Sequence, residues 1–192
     1  MNLIGLSGKM GVGKTTVANM IKELVPGTER VAFGDLLKRE VAERFDIPLA
    51  VFYHDKNKRI CANPQRFEAG WPGTRSVMTA RELLQWYCTD LVRAQNPDYW
   101  TVAMREHLRT LRGVPLVVID DVRFPNEANF IKESSGMLVR IEAYPGYTVS
   151  ADVAGHASET ALDDWQTWDM VFRPELGEEA LLGVAEGILK HV

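Results

Sequence analysis

A glycine-rich segment near the start of the chain has the residue types and spacing of a phosphate-binding loop. Residues 8–15 read Gly-Lys-Met-Gly-Val-Gly-Lys-Thr and fit the pattern G-x-x-x-x-G-K-[ST]. A phosphate chain needs several backbone N–H groups aimed at one place, and glycines allow that close approach because they carry no Cβ. The following helix adds free N–H groups and a dipole that favours anions. The pattern therefore predicts an ATP-binding P-loop.

The side chains of this loop have separate predicted roles. Lys14 would reach the β- and γ-phosphates, and the Thr15 hydroxyl would ligate Mg²⁺. ATP is favoured over GTP because the chain has no guanine-specifying N-K-x-D element. The residues that we expect to bind ATP are Gly8, Lys9, Gly11, Val12, Gly13, Lys14, Thr15 and Thr16.

A second candidate site follows an apolar run at residues 115–119. This run predicts a buried strand, and Asp120 and Asp121 come directly after it. One carboxylate at such a position can hold Mg²⁺. Alternation is a poor guide for a strand that is buried on both faces, and we favour Asp121 over Asp120 as the metal ligand. The alternative is that either residue only caps the loop.

Arg123 comes two residues later, at the sheet edge where open α/β folds bind ligands. Its planar guanidinium could bridge two phosphates, so Arg123 is predicted to be catalytic together with Lys14 and Asp121. The alternative is a surface ion pair with Glu127, four residues on, of little energetic value. Both can hold if Glu127 orients Arg123.

The elements that must position these residues alternate between strands and helices. Buried strands are predicted at 2–7, 30–33, 115–120, 137–142 and 169–172. Helices are predicted from Lys14 to the Pro26-Gly27 stop, at 35–45 with Asp35 as N-cap, from the Thr79/Glu82 capping box to Val92, and at 98–112, 126–134 and 176–190. This order predicts an α/β fold with a mostly parallel sheet.

The chain length of 192 residues predicts a single domain. Two segments of it are expected to differ from the regular alternation of strands and helices. Residues 46–78 have no clear period and predict an insertion or flap. Residues 143–168 predict a lid-like loop.

Composition excludes several classes of protein. The chain is 46% hydrophobic and 25% charged, so it is not intrinsically disordered. It has no apolar run long enough for a bilayer and no signal-peptide pattern at its start. Two cysteines make no disulfide framework, which predicts a reduced, cytoplasmic compartment. The net charge of −4 argues against a nucleic-acid partner and permits a small anionic ligand.

Scattered cations suggest a second phosphate site. Lys38, Arg75, Arg81 and Arg93 lie near predicted loop–helix junctions. Arg81 opposes the dipole in the first turn of its helix, which hints at a ligand, whereas Lys38 and Arg93 have ordinary solvated alternatives. A monophosphate acceptor is already mostly a dianion at neutral pH, so a kinase acting on it needs no general base.

Several segments together resemble the bacteriophage deoxynucleoside monophosphate kinases, a branch of the P-loop NMP kinase superfamily. They are LSGKMGVGKTT (6–16), FGDLLK (33–38), RELLQWYCTDLVRAQNPDYW (81–100), VVIDDVRFPNEA (117–128), HASE (156–159) and the ending at 169–190. The resemblance implies a three-layer, NMP-kinase-like sandwich that phosphorylates deoxynucleoside monophosphates (dNMPs) with ATP. Its cytoplasm would be that of the host if the protein is phage-encoded.

The resemblance also implies roles for individual residues. Gln85 is similar to a base-reading glutamine, and Arg123 matches the arginine of a D-x-R element. His156 and Glu159 match an H-x-x-E loop, for which we expect contact with the lid or the nucleotide. Tyr144-Pro145-Gly146 replaces an Arg-Pro-Gly, so Arg140 is the candidate to supply the lid arginine. The substrate-binding residues expected are Asp35, Lys38, Arg81, Gln85, Arg93 and Glu127.

Two other functions remain open at this stage. The P-loop and FGDLLK fit a kinase of another small metabolite, such as dephospho-coenzyme A, equally well. A nucleotide-binding module without catalysis is the third possibility. The expected partners are small molecules rather than nucleic acid or membrane, and a homodimer is left open. Tyr87 and Tyr99 could stack on a base, whereas Trp100 is assigned to the core.

Overall fold

The computed structural model describes residues 2–54, 59–61, 77–148 and 157–192. Its strands are β1 (Asn2–Ser7), β2 (Glu29–Val31), β3 (Arg59–Cys61), β4 (Val77–Thr79), β5 (Leu116–Val122), β6 (Met137–Ile141) and β7 (Met170–Phe172). Its helices are α1 (Lys14–Leu24), α2 (Phe33–Phe45), α3 (Leu49–His54), α4 (Ala80–Gln85), the π-helical segment Trp86–Arg93, α5 (Tyr99–Thr110), α6 (Pro125–Glu133), α7 (Ala157–Thr160) and α8 (Glu178–Leu189). The chain divides into two compact units, one of Met1–Phe33 with Glu106–Val192 and one of Gly34–Arg105.

The first unit is built on a parallel sheet of five strands in the order β2-β5-β1-β6-β7. The central strand β1 pairs with β5 on one side and β6 on the other, so that Ile4 lies opposite both Val118 and Met137. These strands are apolar and buried almost throughout, as expected for parallel strands covered on both faces. The predicted α/β class with a parallel sheet is confirmed.

Helices cover both faces of this sheet. Successive residues of β1 point to opposite faces, so that alternate residues pack against different helices. Ile4 and Leu6 share a core with Val17 and Ile21 of α1 and with Ile188 of α8. Between them, Gly5 faces the other way. A Cβ on Gly5 would lie 2.7 Å from Ile131 of α6, so the absence of a side chain lets this helix pack closely. The first unit is therefore a three-layer sandwich.

The second unit is formed by helices and a short antiparallel pair, β3 with β4. The Thr79 hydroxyl caps the Glu82 N–H and the Glu82 carboxylate accepts the Thr79 N–H, which confirms the predicted capping box. Trp100 is 1% exposed, and its assignment to the core is confirmed.

Three local predictions differ from the structure. Helix α2 begins at Phe33, so Asp35 lies in its first turn and is not its N-cap. Within 46–78 the described residues form α3 and the strand pair, elements too short to show a period. The helix expected from Thr79 to Val92 changes at Trp86 to π-helical winding. Residues 55–58, 62–76 and 149–156 lie outside the described ranges, so the flap and lid remain predictions.

Gly8 lies close to the backbone of β6. Its φ is +152°, and a Cβ there would collide with the carbonyl oxygen of Ile141. We expect Gly8→Ala to lower the Tm by about 10 °C, since strain and repacking of about 3 kcal/mol must be absorbed. Thermal unfolding followed by circular dichroism measures the change.

Gly183→Ala is the matched control for this variant, because Gly183 lies within α8 and a Cβ there meets nothing within 4 Å. Alanine is the better helix former by about 1 kcal/mol, so this variant is expected to raise the Tm. An unchanged Tm in Gly8→Ala would contradict the tight approach to Ile141.

Candidate active site

The P-loop runs from the end of β1 directly into the first turn of α1. Gly13, the last residue before the helix, has a φ of +97°, and a Cβ there would lie 2.7 Å from the Leu181 side chain. No side chain caps α1 at Gly13. The N–H groups of the first helical turn are therefore left for an anion, as the sequence pattern predicts.

Lys14 is buried beneath this loop. It is 6% exposed, and its ammonium donates to the carbonyl oxygens of Gly8 at 2.8 Å and Lys9 at 2.7 Å. Burial, and after it the nearby cation of Arg123, lower the pKa of Lys14 from 10.5 to a net value of about 8. The carboxylates of Glu159, Asp121 and Asp120 act in the opposite direction. Lys14 is thus a cation whose charge an added anion would stabilise.

Asp120 is the carboxylate that accepts a hydrogen bond from the Thr15 hydroxyl of the P-loop. Its Oδ2 accepts from Thr15 Oγ1 at 2.6 Å and from Arg30 Nε at 2.9 Å. Its Oδ1 is buried and has no hydrogen-bond partner among the residues that the structure describes. A buried carboxylate oxygen without a partner is costly unless a ligand completes it.

Asp121, the residue that the sequence favoured as metal ligand, accepts a hydrogen bond from a different donor than Asp120 does, and its role at a metal remains a prediction. Neighbouring residues of a strand point to opposite sides, and Asp121 accepts the backbone N–H of Phe33 at 2.8 Å. Arg30 donates to the same Asp120 oxygen as Thr15 and is not among the predicted site residues. Its one sequence signal is a cation at the start of an otherwise apolar segment, Arg30-Val-Ala-Phe33.

The turn that carries Arg123 is shaped by Glu127. Glu127 is 1% exposed, and its Oε2 accepts the backbone N–H groups of Arg123 at 2.7 Å and Phe124 at 3.2 Å. The sequence offered a surface ion pair with Glu127 as the alternative role of Arg123; Glu127 is buried and accepts the main-chain N–H of Arg123, so that it orients the turn. Substrate binding by Glu127 remains a prediction.

The guanidinium of Arg123 forms an ion pair with Glu159, and Glu159 in turn is hydrogen-bonded to the P-loop. Arg123 donates to Glu159 Oε1 and to the Ser158 carbonyl oxygen. Glu159 Oε2 in turn accepts the Met10 N–H at 2.8 Å, and the Glu159 carbonyl accepts from Lys9. One buried carboxylate thus joins Arg123 to the backbone of the P-loop.

Arg140 lies near the same connection. Its guanidinium is 3.4 Å from Ser7 Oγ and 3.5 Å from Asp163, and it lies over the Trp168 ring at 5.4 Å. Lys9 also pairs with Asp163. Arg140 therefore belongs to the surroundings of the P-loop, whereas its role as a lid arginine remains a prediction.

The predicted acceptor residues belong to the second unit. Lys38 donates to Asp35 at 2.8 Å, and the Tyr53 hydroxyl donates to the same carboxylate at 2.9 Å. Arg81 and Gln85 are exposed one turn apart on α4, and half-buried Arg93 ends the π-helical segment. Asp35 and Lys38 are thus brought together within this unit. Two further candidates, Arg75 and His156, lie outside the described residues.

A cavity of about 160 Å³ adjoins the P-loop. It is lined by residues 11–13, Thr16, Tyr144, residues 174–177 and Leu181. A larger cavity of about 520 Å³ opens at the other end of the strands, beside Asn2, Met137 and Met170. The smaller cavity is the one next to the phosphate-binding groups.

Comparison with known proteins decides the family. A protein of Acanthamoeba polyphaga mimivirus, "Putative deoxynucleotide monophosphate kinase", is 33% identical over 182 residues, covering 89% of this chain and 87% of the relative. The chain belongs to the deoxynucleotide monophosphate kinase family. It is accordingly a kinase, a phosphotransferase of small molecules.

Other similarities are more distant. A Drosophila melanogaster phosphomevalonate kinase is 23% identical over 195 residues, covering 94% of this chain and 93% of the relative. A sugar kinase of Janibacter and a Thermus thermophilus protein share the fold, with TM-scores of 0.50 and 0.52, identities of 15% and 16%, and coverage of 99% and 100% of this chain and 95% and 97% of theirs. No family model matches the chain.

Two kinds of feature are absent from the described residues. None of the helices that the structure describes combines the length and apolar character needed to cross a membrane. Within the same ranges, no group of three or more His, Cys, Asp or Glu side chains could by itself hold a metal ion.

The lowered pKa of Lys14 predicts a dependence of stability on pH. The folded pKa of about 8 lies below the ordinary 10.5, so the unfolded chain keeps the proton to higher pH. Through this group the free energy of unfolding should rise by about 3 kcal/mol between about pH 8 and pH 10. Urea unfolding of the wild type and Lys14→Met at several pH values isolates this contribution as their difference. A difference that stays constant with pH would contradict the prediction.

Proposed function

We propose that this protein transfers the γ-phosphoryl group of ATP to a deoxynucleoside monophosphate, producing ADP and a deoxynucleoside diphosphate. The observation that carries the proposal is the convergence of Lys14, Thr15 and Arg123 at the start of α1, in a chain that belongs to this kinase family. A buried ammonium, an uncapped helix N-terminus and a second cation are the groups that phosphoryl transfer requires.

The chemistry is a single displacement at the γ-phosphorus. An oxygen of the acceptor phosphate forms a bond to that phosphorus, and the bond to the oxygen bridging the β- and γ-phosphates breaks. ADP leaves with the electron pair. Because the acceptor is largely a dianion above a pKa of about 6, no protein base has to remove a proton. The contribution of Lys14 and Arg123 is to stabilise the charge on the transferring group.

We assign ATP to the P-loop side of the first unit. The N–H groups at residues 11–16 would bind the phosphates, and the cavity beside Thr16 and Tyr144 would receive part of the nucleoside. Glu159 accepts from Met10 N–H and Arg123, two donors suited to phosphate oxygens. ATP binding would exchange this carboxylate for phosphate, and contact of Glu159 with the lid or the nucleotide remains a prediction.

The residues beside Thr15 fit a magnesium ion held jointly by protein and substrate. Asp120 has a buried oxygen without a partner among the described residues, and its other oxygen lies against the Thr15 hydroxyl. Mg²⁺ is commonly bound through one or two carboxylates with the remaining ligands from phosphates and water. We therefore assign it to Thr15 and Asp120, where it would neutralise charge on the β- and γ-phosphates.

The acceptor is assigned to the second unit through the family resemblance. Lys38, Arg81 and Arg93 would hold its phosphate, and the amide of Gln85, a donor and an acceptor, would read its base. Asp35 would orient Lys38, to which it is bound at 2.8 Å. Four points remain predictions from the sequence: the roles of Arg140 and His156 at a lid, the formation of a homodimer, a bacteriophage origin and a cytoplasmic location.

A panel of acceptors tests this function through coupled detection of ADP release. The panel contains the four dNMPs, the corresponding ribonucleotides, dephospho-coenzyme A and, because of the Drosophila relative, phosphomevalonate. We expect the highest kcat/KM with a dNMP. The absence of turnover on every dNMP would refute the proposal, and faster turnover on dephospho-coenzyme A or phosphomevalonate would replace its acceptor.

In the same assay Lys14→Ala should lower kcat by about 100-fold or more, because the transferring group loses its buried cationic contact. Far-ultraviolet circular dichroism checks that the fold is retained. A rate near that of the wild type would contradict the role of Lys14.

Asp120 and Asp121 form a matched pair for testing the magnesium assignment. Asp120→Asn should raise the Mg²⁺ concentration needed for half-maximal velocity by about ten-fold, since one carboxylate charge at the ion is removed. Asp121→Asn should change it much less, because Asp121 accepts the Phe33 N–H. The opposite ranking, measured by titrating Mg²⁺ at constant ATP, would restore the sequence-based choice of Asp121.

A further inference from the structure

Glu40 of α2 connects the two stretches of helix that carry the acceptor candidates of the second unit. Its Oε1 accepts from the Tyr87 hydroxyl at 2.6 Å, and its Oε2 accepts from the Tyr99 hydroxyl at 3.0 Å. Tyr87 is 3% exposed, and burial together with the Glu40 carboxylate raises the pKa of its phenol. Both tyrosines therefore remain hydrogen-bond donors, and the carboxylate is bound on both of its oxygens.

Tyr87 lies in the π-helical segment Trp86–Arg93, a conformation that seldom forms without outside support. Three residues of α2 contact the segment at the side chain of Tyr87. The ring of Phe45 meets the Tyr87 ring edge-on at 5.8 Å, and Arg44 lies over the same ring at 5.8 Å. Glu40 supplies the polar part of this attachment.

The winding of this segment decides where its last residue lies. In a continuous α-helix the twelve steps from Arg81 to Arg93 would leave Arg93 about 120° around the axis from Arg81. π-helical winding has roughly 4.4 residues per turn, and over the last eight steps it returns Arg93 to within about 30° of Arg81. Gln85, at about 40°, then lies on the same side.

We propose that Glu40 is a positioning residue for the acceptor site: by holding Tyr87 and Tyr99 it maintains the π-helical winding that places Arg93 on the face of Arg81 and Gln85. The same carboxylate belongs to α2, which also carries Asp35 and Lys38. It thereby sets the distance between a phosphate-binding lysine and the base-reading glutamine. This role rests on the proposed function, because it needs a monophosphate acceptor at these residues.

The test compares Glu40→Gln and Tyr87→Phe with Glu43→Gln. Glu43 lies one turn further along α2 and is exposed, so its variant matches the loss of charge without touching the tyrosines. The KM values for ATP and for dAMP, dCMP, dGMP and dTMP are measured in each. Glu40→Gln and Tyr87→Phe should raise the acceptor KM by about ten-fold, as expected for loss of a hydrogen bond to a charged group, and leave the KM for ATP within about two-fold.

Amide hydrogen exchange over residues 86–93 provides a second measurement that does not depend on turnover. It should become faster in Glu40→Gln and stay unchanged in Glu43→Gln, because the π-helical segment loses its attachment. If Glu40→Gln lowers stability, Tyr99→Phe removes a single hydrogen bond and should raise the acceptor KM by a smaller factor.

The possible failures are distinguishable. A wild-type protein that phosphorylates no dNMP refutes the proposed function and this inference with it. A wild type that phosphorylates a dNMP, with an unchanged acceptor KM in Glu40→Gln and Tyr87→Phe, refutes only the positioning role. Equal increases in the KM for ATP and for the acceptor would show a general loss of structure, which also overturns it.

Discussion

The burial of the Lys14 ammonium under the P-loop is the constraint on which the rest of the first unit depends. Removing a cation from water is unfavourable, and the lowered pKa of Lys14 expresses that cost. Two carbonyl oxygens of the loop, from Gly8 and Lys9, partly compensate for it. They can do so only because the glycines let the backbone curl around the ammonium. A protein arranged in this way gains the most from a ligand that brings negative charge to the start of α1.

The acidic residues around Lys14 balance this charge without neutralising it by direct contact. The Glu159 carboxylate accepts hydrogen bonds from Arg123 and Met10. One oxygen of Asp120 accepts hydrogen bonds from Thr15 and Arg30. Each carboxylate thus holds a donor to which we assign a part in phosphoryl transfer. In the proposed reaction phosphate would replace Glu159 at Arg123 and Met10, whereas Asp120 would keep its contact with Thr15. The buried Oδ1 of Asp120 has no hydrogen-bond partner among the described residues, so a ligand could complete it.

In the second unit, too, a carboxylate that accepts several hydrogen bonds holds separate parts of the chain together. This unit has no large sheet in its described residues, and a carboxylate bonded to two phenols ties its helices together. Both units therefore use a carboxylate with several donors to fix a local backbone shape: Glu127 for the turn at Arg123, and Glu40 for the π-helical segment. In the first unit the shape presents a cation, and in the second we infer that it aligns the acceptor residues.

The sequence by itself determined those features that depend on neighbouring residues. The β1–P-loop–α1 unit, the capping box at Thr79 and the parallel sheet all follow from glycine placement, capping residues and apolar period, which act over a few positions. What only the tertiary structure decided involves partners distant along the chain. Asp120 was separable from Asp121 only through Thr15 and Phe33, and Glu127 turned to the backbone where its spacing suggested an ion pair. Arg30 reaches Asp120 through a contact between residues 90 positions apart, and Tyr87 in the π-helical segment contacts Glu40 across 47 positions; no local pattern encodes either contact.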